Sequence, residues 1–201
     1  MTGIQIVNLK IMLEELGEDT TKRILSDFSC PLNPDVESFL KEKAIVFSKQ
    51  GLAAVHLVLM SYKNKPVIVG YFALANKYVT IMPKRISKTV KKKIEKFAIF
   101  NEYLNEYNFA APLIGQLGKN FTNGYNKLIT GDELLKIAID KLSQIQLDLG
   151  GKWIYLECED KPKLIDFYKD NGFIEFGKRN LEKDETGLKG EYLIQMLKYI
   201  K

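Results

Sequence analysis

The segment 109–158 constrains the fold more than any other part of the chain. It opens with a strand pattern, FAAPLIGQLGK (109–119), passes through the irregular run NFTNGYNKLIT, and enters a long amphipathic stretch over 131–149. In that stretch Leu134, Leu135, Ala138, Leu142, Ile145 and Leu149 recur at helical spacing and predict one buried face. Gly150-Gly151 ends the helix, because glycine adopts the left-handed conformation that closes a helix at little steric cost. WIYLEC (153–158) then reads as a strand apolar on both faces except at its end. Strand, crossover helix and strand in this order form a βαβ unit, and its two strands must run parallel.

Around this unit the chain alternates helix and strand. A short strand is expected over 4–9, and a helix from Asp19 to near Phe28. Asn33-Pro34 supplies a cap followed by proline at the first helical position. The helix it opens carries Val36, Phe39, Leu40, Ala44 and Phe47 and stops before Gly51. Two β-rich runs, 54–62 and 66–81, flank the polar turn Lys63-Asn64-Lys65 and predict a hairpin. The basic stretch 83–97 has helical period through Ile86, Val90, Ile94 and Phe97. After 158 come a short helix over 161–172, stopped by Asn171-Gly172, a strand over 173–179, a polar loop, and a last strand over 190–200. This is a mixed α/β (α+β) pattern without repeats, expected to form one domain over 1–201 with a basic helical insertion at about 83–107.

The 201 residues are 46% hydrophobic, enough for one substantial core. No run approaches the ~20 consecutive apolar residues of a membrane span, and no membrane association is expected. The first residues, MTGIQIVNLKIMLEELGED, lack the basic start and apolar block of a secretory signal. Cys30 and Cys158 are too few for a disulfide framework, and with one histidine they cannot make an ordinary zinc site, so no metal is expected. A reducing cytoplasm is the expected setting. The net charge of +5 is modest, and its distribution matters more than its sum.

A strand that feeds a loop and then a long helix aims unpaired amides and a positive helix end at whatever binds there. Thr130 and Gly131, with Lys127 nearby, suit a pyrophosphate; taken alone, most such units bind nothing. The next segment adds specificity. LIDFYKDNGFIEF (164–176) resembles motif B of the GNAT acetyltransferase superfamily, in which a helix ends in an aromatic pair before a Gly-Phe turn. The stretch 117–135, with 153–158, follows the order and spacing of that superfamily's motif A. In the N-terminal half, FSCPLNPDVESFLKEKAIVFSKQGLAAVHLVL followed by VGYFAL, and later Pro112-Leu113-Ile114-Gly115-Gln116-Leu117, resemble its tRNA-acetylating toxin branch.

The resemblance implies a GNAT-type fold: a mostly antiparallel central sheet with a splayed parallel pair and flanking helices. It implies acetyl-coenzyme A as cofactor and a primary amine as acceptor, in the toxin branch the amine of an aminoacyl-tRNA. Main-chain groups of Leu117, Gly118 and Lys119 would hold the pantetheine arm and polarise the thioester carbonyl. The pyrophosphate would sit on Asn126, Lys127, Leu128, Ile129, Thr130, Gly131 and Asp132. This loop departs from the family pattern of Arg or Gln, two residues, Gly, one residue, then Gly or Ala. Only Gly131 survives, and Ile129 restricts close backbone approach where a glycine is usual. Lys127 compensates through charge. Lys161 takes a position that is often Asn in relatives. Tyr168 would be the general acid for the coenzyme A sulfur, since a phenol of ordinary pKa ~10 stays protonated at neutral pH. Without the surrounding motif, Tyr168 reads simply as half of a Phe-Tyr packing pair.

No general base is identifiable. No carboxylate lies within 109–119, Glu157 and Glu159 read as surface charges beside Cys158, and His56 alternates within an apolar strand as a core histidine does. The amine of an aminoacyl ester is weakly basic and needs no dedicated base. A covalent acyl-Cys158 intermediate is set aside, since a cysteine after WIYLE reads as a buried thiol. The stretch 84–96 has seven basic residues and one acid, Glu95. On a helix, Lys84, Lys88, Lys91, Lys92 and Lys96 fall largely opposite the apolar stripe, either as a solvated face or as contacts to nucleic-acid phosphates. Three readings stay open: an aminoacyl-tRNA acetyltransferase, an acetyltransferase of small amines or proteins, and a GNAT-shaped binding or regulatory protein without catalysis. A homodimer and an antitoxin-like partner are also left open.

Overall fold

The computed structural model describes residues 3–181 and 190–200. The expected polar loop ahead of the last strand falls mostly on 182–189, outside the described residues. Among the described residues eight strands form one sheet: β1 (Ile4–Asn8), β2 (Ala54–Tyr62), β3 (Lys65–Ile81), β4 (Ile99–Asn101), β5 (Glu106–Lys119), β6 (Trp153–Glu159), β7 (Ile174–Asn180) and β8 (Tyr192–Tyr199). Their order is β1-β2-β3-β5-β6-β8-β7, with β4 paired to β5. The sheet is mostly antiparallel and has one parallel pair, as the βαβ pattern requires. The chain divides into two compact units, Met1–Ala75 with Ile114–Asp140, and Asn76–Leu113 with Lys141–Lys201.

The first unit begins with an element absent from the sequence reading, α1 (Leu9–Leu16). The Asn8 side chain accepts from the Lys10 N–H at 2.9 Å, so β1 runs straight into the helix with no glycine or proline between them. Leu9, Met12 and Leu13 form its buried stripe. Gly17, at φ 76°, separates α1 from α2 (Glu18–Ser26), which ends two residues short of Phe28. The helix opened by Asn33-Pro34 is interrupted: α3 (Pro34–Ser38) passes through one π-helical turn, Phe39–Lys43, into α4 (Ala44–Gln50). The extra residue rotates the stripe, so Ile45 is buried along with Val36, Phe39, Leu40 and Ala44 while Phe47 is only partly covered. The β2–β3 hairpin forms as expected, Lys63 and Asn64 both taking positive φ and Tyr62 pairing with Lys65. The core joins these helices to Val55, Leu57, Tyr71 and Ala73.

In the second unit the basic insertion is not the continuous helix expected. A 3₁₀ turn, Pro83–Arg85, precedes α5 (Lys88–Ile94), which is only seven residues long, and the chain then turns into β4. Ile94 is fully buried, Ile86 and Val90 are partly covered, and Phe97 is exposed beyond the end of the helix. The core packs Ile94 on Val79, Ile81, Tyr107, Phe109, Trp153, Tyr155 and Phe176. The crossover helix α6 (Gly131–Leu149) has the expected bounds. Leu134, Leu135, Ala138 and Leu142 are buried, but Ile145 and Leu149 are exposed and Gln146 is buried instead. The Gln146 amide donates to the Trp153 carbonyl at 2.9 Å, which turns that face toward the next strand. A short helix, α7 (Pro162–Asp170), leads to β7, and Gly172 closes the turn at φ 79°.

Candidate active site

In the first unit, the end of β5 and the loop after it are held by side chains that the sequence reading did not single out. Asn120 is buried and fully engaged. Its N–H donates to the Val69 carbonyl at 2.8 Å, its amide to the Ile68 carbonyl at 2.8 Å, and its Oδ1 accepts from the Ser29 and Thr122 N–H groups. A single asparagine therefore fixes where the loop leaves the sheet, and only its polarity after an apolar strand could have marked it. Gly118 serves packing: a Cβ there would lie 2.3 Å from Val36 Cγ1. Its carbonyl also lies 2.8 Å from where a Cβ on Gly70 of β3 would stand. Since main-chain groups alternate along a strand, Gly118 and Asn120 face β3, and the N–H and C=O groups of Leu117 and Lys119 point to the opposite edge.

The loop itself is a 3₁₀ turn, Thr122–Lys127, broken by Asn123 and Gly124 at positive φ. The Lys119 ammonium donates to the carbonyls of Asn126 (3.0 Å) and Ile129 (3.2 Å), drawing the loop around one cation. The side chain of Ile129 is buried, that of Leu128 half-buried, and Lys127 is exposed. Thr130 caps α6 through a reciprocal pair: its hydroxyl accepts from the Glu133 N–H at 3.1 Å, and the Glu133 carboxylate accepts from the Thr130 N–H at 2.8 Å. These contacts with Thr130 hold the Glu133 carboxyl below its usual range. An anion thus already rests on this helix end, and the donor set fits a diphosphate: the amides at Thr130–Asp132, a glycine at the first helical position, and the Lys119 and Lys127 ammonium groups.

In the second unit, Tyr168 lies in the last turn of α7, buried, its ring edge-on to Phe167 at 5.0 Å and Phe173 at 5.8 Å. Other buried tyrosines commit their hydroxyls: Tyr71 to the Val36 carbonyl, Tyr107 to Glu95, Tyr155 to Glu157. Among the described residues no hydrogen bond forms at the Tyr168 hydroxyl. Burial, with the nearby Cys158 thiol as a smaller cause, raises its pKa and keeps it protonated. Packing pair and available phenol thus coexist in one side chain. Cys158 is buried with its sulfur 3.9 Å from that of Met196, and burial pushes its thiol up to about 12. Such a thiol is a poor nucleophile.

Glu157 and Glu159 are not the surface charges the sequence suggested. Glu159 is buried and bonds the Lys161 ammonium at 2.7 Å, so Lys161 is tied to this carboxylate. Glu157 takes both arms of Arg179, Nε at 2.8 Å and Nη2 at 2.7 Å, and the Tyr155 hydroxyl. Burial works to raise its pKa, but Arg179 and Tyr155 outweigh it and leave the carboxyl below its usual range. His56 is a core residue, stacked on Phe72 at 5.0 Å with Nδ1 3.2 Å from the Ala54 carbonyl. Of the basic set, Lys84, Lys88, Lys92 and Lys96 are exposed. Among the described residues none of these four has a carboxylate partner. Lys91 differs: it is half-buried, 3.8 Å from Glu95, against the expected outward placement. Among the described residues no helix is long and apolar enough to cross a membrane, and no group of His, Cys, Asp or Glu is placed to hold a metal ion.

No family profile matches the sequence, and no protein of curated function matches it. Solved structures do match its fold. AtaT complexed with acetyl-methionyl-tRNAfMet is 16% identical with a TM-score of 0.62, over 95% of this chain and 93% of that one. A tyrosine-to-phenylalanine variant of KacT is 16% identical with a TM-score of 0.63, over 96% and 94%. AtaTR bound with acetyl-CoA is 15% identical with a TM-score of 0.56, over 96% and 93%. The sheet order, the parallel pair and this agreement along nearly the whole length give the chain the GNAT fold.

Proposed function

We propose that the protein is an acetyl-CoA-dependent N-acetyltransferase whose acceptor is the amine of an aminoacyl-tRNA. The observation that carries this reading is the near full-length agreement in fold with AtaT, which was solved with an acetylated methionyl-tRNA. Bound acetyl-coenzyme A supplies an acyl group activated as a thioester. Amides at Thr130, Gly131 and Asp132, with Lys119 and Lys127, hold the diphosphate. Main-chain groups of Leu117 and Lys119, on the strand edge turned away from β3, hold the pantetheine arm. The Tyr168 hydroxyl would donate a proton to the coenzyme A sulfur as it leaves. The amine's own proton goes to solvent, since Glu157 is committed to Arg179 and His56 is packed on Phe72. Lys84, Lys88, Lys92 and Lys96 contact RNA phosphates. An antitoxin-like partner belongs to the same reading, because AtaT was also solved with the C-terminus of the antitoxin AtaR.

One observation favours a second reading, a GNAT-shaped binding protein without catalysis: the Thr130 amide is already taken by Glu133, and Ile129 stands where a glycine is usual. Calorimetric titration with acetyl-CoA separates the two, and absence of binding heat selects the second. If the cofactor binds, transfer of labelled acetyl to a charged tRNA pool is the expected activity. Salt-sensitive tRNA retention should be lost when Lys88, Lys92 and Lys96 are changed to Glu. Transfer to a small amine or a lysine peptide, without tRNA retention, would overturn the RNA assignment.

A further inference from the structure

The second unit contains a groove of about 740 Å³ beside β7, lined by Arg85, Lys169, Lys178, Phe173, Phe176 and Gly177, with Glu175 as its acid. We propose that this groove binds a backbone phosphate of the RNA acceptor, with Arg85 as the contacting group; the proposal rests on the RNA reading above and adds a site to it. Lys169 bonds Glu175 at 3.2 Å and Lys178 lies 3.7 Å from Asp160, so both lysines are partly neutralised. Among the described residues Arg85 has no carboxylate partner.

The Arg85 side chain is seated. The pairing of β7 with β8 shifts register between Glu175 and Gly177, and the guanidinium lies over the glycine that follows. A Cβ on Gly177 would stand 2.9 Å from Arg85 Nη1 and 2.8 Å from Gln195 Oε1. The missing side chain is therefore what lets the guanidinium lie against the strand. Arg85 is exposed and lines the groove, and its planar fork suits the two oxygens of a phosphate.

Two further features select backbone phosphate over base. Phe173 and Phe176 are buried beneath the groove, so neither ring is available for a base to stack on. Arg85 also follows Lys84 directly and precedes α5, which carries Lys88 and Lys92, with Lys96 just beyond its end. Exposed cations of this kind bind phosphates without reading sequence.

The test measures binding of unfractionated tRNA to the full chain by filter retention between about 50 and 200 mM salt. The variants are Arg85→Gln, which removes the charge, and Gly177→Ala, which keeps the charge and puts a methyl group where the guanidinium lies. Each should weaken retention severalfold at the higher salt and lower the slope of log K against log salt by about one. Their acetyl-CoA affinity should remain that of the wild type. A wild-type slope for Arg85→Gln overturns the site, and a wild-type slope for Gly177→Ala alone overturns the seating. Acetyl-CoA affinity falling in step would assign the groove to a phosphate of the coenzyme instead, which also overturns it. Should Gly177→Ala not fold, judged by its thermal transition, Arg85→Gln decides alone. A wild-type chain that retains no tRNA removes the RNA reading itself, whereas an altered slope only in the α5 variants leaves that reading standing without the groove.

Discussion

Tyr168 and Glu133 carry opposite consequences for one reaction. Removing only the Tyr168 hydroxyl, as Tyr168→Phe, should slow acetyl transfer by about a hundredfold or more while leaving the calorimetric affinity for acetyl-CoA unchanged. Its pKa is raised by burial, so this acid keeps its proton above pH 10, where an exposed tyrosine loses it. The turnover of the wild type should accordingly show no alkaline fall from this group between pH 7 and 10. Glu133 already holds the Thr130 amide, and in the proposed reaction it would compete with the coenzyme's phosphates for it. Glu133→Gln keeps a capping side chain but removes the negative charge, and should tighten acetyl-CoA binding about two- to fivefold, the range a single charge at a helix end commands. Equal affinities in the same titration would show that the carboxylate swings aside freely. Because the Glu133 carboxyl is held below its usual range, its contribution to the cap is present above the unfolded value near 4.5 and is lost as pH falls through the folded one.

At the scale of elements, β5 is held against α3 by what Gly118 lacks. Gly118→Ala puts a methyl 2.3 Å from Val36 Cγ1 and should cost about 1–3 kcal/mol in urea unfolding. Shortening the partner, as Gly118→Ala with Val36→Ala, should recover part of that loss even though each change alone destabilises. No recovery would mean that the backbone of β5, and not the side-chain collision, sets the limit. Across β6 and β7, the Glu157–Arg179 pair is mostly buried, and Arg179→Met should cost about 3 kcal/mol by leaving the carboxylate unpaired. Elements with strong period and clear ends were legible in sequence: α6 between Thr130 and Gly150, the hairpin at Lys63-Asn64, and α7 up to Gly172. The rest depended on partners remote in the chain. α1 follows β1 without a break, the π-turn at Phe39–Lys43 has no local sequence mark, and α5 stops where β4 finds β5 to pair with. Tyr168 could be named from its motif, but its uncommitted hydroxyl could not. Nor could the Thr130–Glu133 cap or the hold of Lys119 on the Asn126 and Ile129 carbonyls, because reach between side chains and loop carbonyls is a property of the folded loop.

At the scale of the whole chain, the excess of five positive charges is unevenly spent among partners. On the first unit, lysines pair with acids one helical turn away, Lys22 with Glu18, Lys41 with Glu37 and Lys136 with Asp140. On the second, Arg85, Lys88, Lys92 and Lys96 have no such acid among the described residues. A field of this kind attracts polyanions more than its net charge suggests, and salt weakens it. Stability gives the broadest test of the cofactor assignment, because a ligand that binds only the folded chain raises its unfolding free energy by mass action. Acetyl-CoA at a hundred times its dissociation constant contributes about 2.7 kcal/mol. For a chain near 200 residues that is a rise of about 5–10 °C in thermal midpoint. Glu133→Gln should start from a lower midpoint, its helix less well capped, and gain more at a fixed subsaturating concentration of acetyl-CoA. Arg85→Gln, lying outside the cofactor's donor set, should gain as much as the wild type. A midpoint unmoved by acetyl-CoA in all three proteins would leave the fold without its cofactor and the binding-protein reading in its place.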